Sequence, residues 1–198
     1  MNRSNLSSAG IFVALTALAG CYAQVEDTDV SFVQSRVCGP TTNCPGGNAP
    51  LTLISNFIPT FTLDLGDSGV LTSSQSSQGP ITFTGSMLLN QAIVTMTTTN
   101  ADFGGIRTVD LRAAIGTDNC AQLSATCKSI ASYDFARDGA AAQKLILKGS
   151  GANLLDFASG PKNSIKLSAK ATGNAPAAAT WNADAELNLA IKARGTFP

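Results

Sequence analysis

The stretch TWNADAELNLAIKARGTFP, residues 180–198, decides the fold. From Trp181 to Ala193 every second position is Trp, Ala, Leu or Ile, and the positions between them are polar or charged except for Ala190. Successive side chains of a β-strand point to opposite faces of its sheet, so this strict alternation is typical of a long strand with one buried face. We therefore expect a long, half-buried strand at this place.

The same alternation occurs upstream in residues 165–172, and the intervening GNAPAAA is typical of a loop, so the two runs are predicted to form a hairpin. Shorter strands are predicted between turn-rich separators such as DSG, NADFGG and GSG, at residues 57–65, 81–84, 88–98, 106–113, 132–136 and 144–147. About eight strands with turns at short intervals favour an all-β antiparallel β-sandwich or, as the alternative, a small β-barrel.

The amino-terminal segment MNRSNLSSAGIFVALTALAGCYAQ has the composition of an export signal. Arg3 is its only charged residue, and the uncharged run 11–20 is short. Crossing a bilayer as a helix takes roughly 20 apolar residues, so this run is too short to span. A basic start, a short apolar middle and small residues at the end predict a secretory signal peptide.

Leu18, Ala19, Gly20 and Cys21 resemble the lipobox of bacterial lipoproteins, in which a branched apolar residue and two small residues precede a cysteine. The resemblance implies that a diacylglyceryl group is attached to the Cys21 sulfur, that the chain is cut before Cys21, and that the new amino terminus is acylated. Dual acylation anchors a protein stably. Tyr22 replaces the Asp that commonly marks inner-membrane retention in that family, so the resemblance implies a lipid anchor in the cell outer membrane, on the periplasmic side or at the surface.

Residues 22–50 contain the segments VEDTD and CGPTTNCPGGNAP, which are rich in turn residues and lack a regular period. We interpret them as a tether that lifts the folded domain off the membrane. The predicted organisation is a signal peptide at residues 1–20, a lipidated tether at 21–50 and a β-sandwich domain at 51–198.

The chain has five cysteines, an odd number that becomes even when Cys21 carries the lipid. The remaining four allow three pairings. We expect Cys38 to pair with Cys44 and Cys120 with Cys127, because both bridges close small loops and exported proteins meet an oxidising compartment. Breaking Cys38–Cys44 is then expected to disturb only the tether, and breaking Cys120–Cys127 to lower the melting temperature.

The second pair has an alternative, because Cys120, Leu123, Cys127 and Ile130 also recur at helical spacing. In a regular helix Cys120 and Cys127 would lie about 10.5 Å apart, beyond the limit of about 7 Å for a disulfide. Either the bridge exists and the segment is irregular, or the segment is helical and each cysteine pairs elsewhere. A zinc site is disfavoured, since the chain has no C-x2-C pair and no histidine.

The absence of histidine removes the Ser-His-Asp and Cys-His mechanisms and the usual proton shuttle near neutral pH. Ser159 and Lys162 match the S-x-x-K motif of serine β-lactamases and penicillin-binding proteins, but Gly160 and Pro161 oppose the helix that this motif begins, so a turn is predicted.

Other candidate site residues have structural interpretations. The acids Asp64 and Asp67 are interpreted as turn residues rather than calcium ligands. Asp134 and Asp138 flank Arg137 and predict a surface ion pair, and Trp181 is expected to pack in the core. We predict no catalytic residue, no metal site and no cofactor.

Charge excludes further classes of partner. The chain has 13 basic and 13 acidic residues, and loss of Arg3 with the signal leaves a slight acidic excess, so no field attracts nucleic acid. The expected function is a non-catalytic interaction or accessory module of the cell envelope, held by its lipid and bound to other envelope proteins. The alternative is a lipid- or glycan-binding module, because small inward side chains can leave room for a ligand or permit close packing: Ala169, Ala171, Ala183, Ala185 and Ala193.

Overall fold

The structure, a computed structural model, describes residues 22–51, 58–64, 82–116, 118, 120–159 and 164–196. The elements in these ranges are almost all strands: β1 (Tyr22–Gln34), β2 (Cys44–Pro45), β3 (Ile58–Asp64), β4 (Thr82–Met96), β5 (Ile106–Ala114), β6 (Cys127–Asp134), α1 (Phe135–Asp138), β7 (Lys144–Gly149), a 3-10 helix (Leu154–Phe157), β8 (Ser164–Gly173), β9 (Thr180–Trp181) and β10 (Ala183–Thr196). In the same ranges no helix is long and apolar enough to cross a bilayer.

Eight strands form one antiparallel sheet in the order β1-β10-β4-β7-β6-β5-β8-β3, and β2 pairs separately with β9. Counted along the chain, the first of the eight pairs with the last, the second with the seventh, the third with the sixth and the fourth with the fifth. A long antiparallel hairpin that rolls up on itself gives this order, which is that of a jelly roll. The prediction of an all-β antiparallel fold is confirmed.

The sheet bends between β6 and β7, where the register joins Ala131 to Gly149 and Ser132 to Lys148. One half of the sandwich is β1, β10, β4 and β7, and the other is β6, β5, β8 and β3. Gly149 is required at the bend, because a Cβ there would overlap the backbone oxygen of Leu89. Every second side chain from Trp181 to Ile191 is buried, so the face of this strand that the alternation predicted to be inward does face the core.

The predicted hairpin between residues 165–172 and 181–193 is wrong. Strand β8 lies between β5 and β3, whereas β10 lies between β1 and β4. The alternation of a strand specifies which side chains face the core, but it does not specify the neighbouring strand. The connection between β8 and β10 therefore crosses from one half of the sandwich to the other. Strand β4 is likewise one continuous strand where two were predicted, and Gly85 pairs with Ala193 inside it.

The predicted tether is also wrong for the part of it that the structure describes. Strand β1 pairs with β10 from Tyr22, opposite Thr196, to Gln34, opposite Ala185. Val30 and Phe32 pack against the core at period two, a short signal that the surrounding acids of VEDTD obscure. The sandwich therefore begins at β1, and no boundary separates a tether from a domain at residue 50.

Candidate functional site

Residues 35–51 lack periodicity, and several of their backbone hydrogen bonds go to another loop. The amides of Gly46 and Gly47 donate to the carbonyls of Ala179 and Ala178, at 3.0 and 2.8 Å. Only glycine fits at position 46, because a Cβ there would overlap the backbone oxygen of Ala178. This segment thus closes one end of the sandwich against the connection that precedes β10.

The structure contains both predicted disulfides. The Cα atoms are 5.4 Å apart in Cys38–Cys44 and 5.2 Å apart in Cys120–Cys127. The bridge and the helix were alternatives for the second pair, and the segment is irregular, with Cys120 at a φ of 55°. Cys21 lies outside the described residues.

The two bridges lie in different surroundings. Cys38 and Cys44 belong to the main hydrophobic core, whereas Cys120 and Cys127 form a small separate cluster with Ala114. The expected ranking of the two bridges rested on the tether, so we now expect the opposite ranking. The Cys38–Cys44 bridge supports the core, and the Cys120–Cys127 bridge holds a peripheral loop.

Trp181 packs in the core as predicted. Its Nε1 donates to the Pro45 carbonyl at 2.9 Å, and its ring meets the edge of Phe103 at 5.8 Å between centroids. The neighbouring Asn182 is buried, and its side-chain amide donates to the Thr42 carbonyl at 3.0 Å. These bonds join the Cys38–Cys44 loop to the interior of the protein.

The predicted ion pair at Asp138 is confirmed. Its carboxylate lies 2.7 Å from both Arg137 Nη2 and Lys148 Nζ and accepts from the amide of Asp134 at 3.0 Å. The hydrogen bond from Arg137, followed by that from Lys148, holds the pKa of Asp138 well below its usual range. Asp134 caps the short helix by accepting from the Ala136 amide. A carboxylate held in this way stabilises a turn and does not serve as a proton donor near neutral pH.

The remaining sequence candidates are not brought together into a site. Ser159 and Ser164 exchange backbone hydrogen bonds of 3.0 and 2.9 Å, which fits the predicted turn, although residues 160–163 lie outside the described ranges. Asp67 lies outside them as well, and the side chain of Asp64 is not described. Within the described part of the chain, no group of three or more His, Cys, Asp or Glu side chains could hold a metal ion.

The described alanines of the predicted set face inward. Ala169, Ala183 and Ala185 are buried, and Ala171 is partly buried against the same core. Ala185 lies between Gln34 of β1 and Val94 of β4 in the register of the sheet. Ala193 lies in β10, but its side chain is not among those that the structure describes.

Two buried polar atoms lie on the outer face of the half formed by β6, β5, β8 and β3. Asp110 Oδ1 and Ser168 Oγ have no hydrogen-bond partner among the described residues, while the other carboxylate oxygen of Asp110 lies 2.6 Å from Arg112 Nε. Buried polar atoms normally find a partner in the protein or in water.

Large exposed hydrophobic side chains in the described residues occur at two places, which sequence analysis missed. The first is a line across the outer face of the half formed by β1, β10, β4 and β7. The register places Val33 opposite Glu186, Glu186 opposite Ile93 and Ile93 opposite Ile146. Val33 is 59% exposed, Ile146 is 45% exposed and Ile93 is half-buried. We call these four residues the outer-face row.

The sequence carries a signal for the outer-face row. In KLILKG, residues 144–149, Leu145 and Leu147 are the buried members of the alternation, so Ile146 is an apolar residue at an outward position. Ile93 similarly stands between the buried Ala92 and Val94. An apolar residue in the polar phase of a strand is the pattern that indicates such a surface.

The second exposed place is the connection between β5 and β6, of which the structure describes residues 115, 116, 118 and 120–126; we call these residues the disulfide loop. Leu123 is 56% exposed and Ile115 is 38% exposed. The loop is held from within, because the Asp118 carboxylate accepts from the Cys120 amide at 2.8 Å and from Thr126 Oγ1 at 2.5 Å. These bonds, with that from Thr126 the largest effect, lower the pKa of Asp118.

Two cations of neighbouring strands brace the disulfide loop from its base. Arg112 Nη1 donates to the carbonyls of Cys120 and Ala121, at 3.2 and 3.3 Å. Lys166 Nζ donates to the Asp118 carbonyl at 3.0 Å. The disulfide loop therefore presents Leu123 and Ile115 on a fixed backbone.

No family model matches the chain, and no curated protein matches it. Solved structures with some likeness include chains of turnip yellow mosaic virus, of Nora virus and of heated Israeli acute paralysis virus particles. The sequence identities are 15%, 9% and 12%, and the TM-scores are 0.32, 0.35 and 0.31. The matches cover 96% of this chain and 90%, 66% and 83% of the respective viral chains. Likenesses at this level carry no inference about function.

Proposed function

We propose that this protein is a lipoprotein of the cell envelope, anchored in the outer membrane through Cys21, that acts as a non-catalytic interaction module. The outer-face row is its docking surface for another envelope protein. The observation that carries this proposal is that Val33, Ile93 and Ile146 lie at one level of the sheet, at positions where the alternation calls for polar residues. Ile93 and Ile146 are direct neighbours, and Glu186 of β10 separates them from Val33.

Single exposed hydrophobic residues are normal on any protein surface, but a contiguous group marks an interaction site. Covering the outer-face row with a partner would remove apolar area from water, at about 25 cal/mol per Å². Glu186 lies within the row and favours a partner that places a cation there. Lys144 and Lys148 on β7 border the row on the side of Ile146.

The proposal is tested by site-specific crosslinking in native membranes. A photoreactive side chain replaces Ile146 or, in a second variant, Val33. The matched control is Thr172, which is exposed on β8 in the opposite half of the sandwich. We expect the two row positions to crosslink to the same envelope protein and Thr172 to give no product. Equal labelling from all three positions, or none from the row, would contradict the docking surface.

A charge in the row provides an independent check. Ile146→Glu should abolish recovery of the crosslinked partner from position 33 and leave the unfolding transition nearly unchanged, because Ile146 is 45% exposed. Thr172→Glu should leave the crosslink intact. Retention of the partner by Ile146→Glu would show that the contact at position 33 does not depend on Ile146 and would contradict a docking surface that spans the row.

A further inference from the structure

The start of β1 determines which end of the sandwich faces the bilayer. Tyr22 is already paired with Thr196, and it directly follows Cys21 in the chain. Consecutive Cα atoms are about 3.8 Å apart, so no length of free chain separates a lipid on Cys21 from the sheet. A lipid at Cys21 would hold this end of the sandwich at the membrane surface, in contrast to the tether predicted from the sequence.

The strand order places the disulfide loop at that same end. Strand β4 begins beside the end of β10, since Thr82 pairs with Thr196. Both β4 and β6 run antiparallel to β7 and are therefore parallel to each other. Strand β6 thus also begins at the membrane end, and the loop that precedes it projects there.

The register gives the relative depths. Lys148 of β7 pairs with both Gln91 of β4 and Ser132 of β6, which sets a common level in the two halves. From that level, Thr82 lies roughly 30 Å toward the membrane end and Cys127 roughly 15 Å, at about 3.3 Å per residue. The remaining difference of roughly 15 Å must be made up by the reach of the disulfide loop together with a tilt of the sandwich toward the half that carries the loop.

The surface of the disulfide loop suits a bilayer. Residues 121–126, AQLSAT, carry no charge, and Leu123 at their centre is exposed. The carboxylate of the one described acid of the loop, Asp118, accepts hydrogen bonds from the Cys120 amide and the Thr126 hydroxyl within the loop. Because the disulfide and Arg112 already fix the backbone, little conformational entropy is lost when the loop docks.

We propose that the disulfide loop seats in the headgroup region of the bilayer that holds the Cys21 lipid, with Leu123 and Ile115 as the inserted side chains. This proposal rests on the lipid anchor proposed above. The contact is apolar, in keeping with the near-neutral charge of the chain, and therefore does not require anionic lipid. Anchor and loop belong to opposite halves of the sandwich, so together they fix the orientation of the domain.

The experiment uses the full lipidated protein in phosphatidylcholine vesicles with a tryptophan reporter. Leu123→Trp places the reporter at the loop tip, and Thr99→Trp places it at an exposed site on the connection between β4 and β5, at the opposite end. The native Trp181 is buried and gives a constant background. Lipids brominated near the headgroup should quench Leu123→Trp several-fold more strongly than Thr99→Trp, and only Leu123→Trp should shift its emission to the blue.

Two readouts separate failure of the loop from failure of the anchor. Suppose that the variants carry fatty acid on Cys21 and float with the vesicles, but that Leu123→Trp is quenched no more than Thr99→Trp. Insertion of the disulfide loop into the headgroup region is then refuted, and the proposed lipid anchor is retained. If no fatty acid is found and the protein does not float, the proposed lipid anchor is refuted, and the proposed insertion of the disulfide loop is refuted with it. Quenching that requires phosphatidylglycerol would contradict the apolar contact.

Discussion

The two disulfides should differ in their contribution to stability, and the difference tests the corrected fold. We consider Cys38→Ala/Cys44→Ala and Cys120→Ala/Cys127→Ala, each in a Cys21→Ser background that lacks the lipid. The bridges span 6 and 7 residues. Loop-closure entropy depends only weakly on length, so each bridge stabilises the folded state by about 2.4 kcal/mol on this account alone.

Packing distinguishes the two variants. Loss of Cys38–Cys44 frees a loop that supplies the Pro45 carbonyl to Trp181 and the Thr42 carbonyl to Asn182, both of which are buried. A buried donor left without its acceptor costs about 1–3 kcal/mol. Added to the loop-closure contribution, the loss of one such acceptor gives an expected total loss of about 3–5 kcal/mol for Cys38→Ala/Cys44→Ala.

The peripheral bridge should cost less. Opening Cys120–Cys127 leaves the β5–β6 ladder in place, with Ala114 still opposite residue 127, and Arg112 still braces the loop. We expect a loss close to the entropic value, about 2–3 kcal/mol. Urea unfolding at 25 °C, followed by far-ultraviolet circular dichroism, measures both free energies of unfolding. Equal losses, or a larger loss for Cys120→Ala/Cys127→Ala, would refute the assignment of Cys38–Cys44 to the core.

Three further predictions follow from the anchor, the core and the turn. Cys21→Ser should leave the precursor uncleaved and abolish labelling with radioactive palmitate, and unchanged labelling would contradict the lipoprotein proposal. Ala185→Leu should lower the free energy of unfolding by about 1–3 kcal/mol if the alanines pack sheet on sheet; a mutant of native stability that loses a co-purified small molecule, seen by mass spectrometry, would instead favour a ligand cavity. Because the pKa of Asp138 is depressed in the folded state, its ion pairs stabilise the protein above about pH 4 and lose their effect as the pH falls further. In Asp138→Asn, the free energy of unfolding measured with urea should therefore fall less steeply as the pH is lowered below about 4.

The side-chain alternation predicted the core far better than it predicted strand neighbours. The inward phase of residues 181–191 is buried as expected, because the period of two depends only on the strand itself. The pairing of β10 with β4 and β1 depends on a crossing of the sandwich that no local pattern encodes. The prediction for the turn-rich segment before residue 51 failed for a related reason. The amides of Gly46 and Gly47 donate to the carbonyls of residues 179 and 178, which lie far away in the chain.

The candidate surfaces were missed for a different physical reason. An exposed apolar residue is a departure from the alternation, and a search for strands treats departures as noise. Ile146 and Ile93 became informative only when the register placed them side by side. The cysteine pairing, by contrast, could be predicted from spacing, because short loops close at small entropic cost wherever the fold places them.

The two exposed places constrain each other through the anchor. Val33 lies eleven positions after Tyr22 along β1, so the outer-face row would stand roughly 35 Å from the end of the sandwich that the Cys21 lipid holds. With the proposed anchor, a partner that binds the row would extend well beyond the headgroup region. Seating of the disulfide loop would stop the sandwich from swinging about its anchor and hold the row at a constant height. Loss of the Leu123 contact should accordingly weaken partner crosslinking at Ile146 even though the two residues lie far apart, whereas a row that acts independently of the membrane would crosslink equally well in Leu123→Asp.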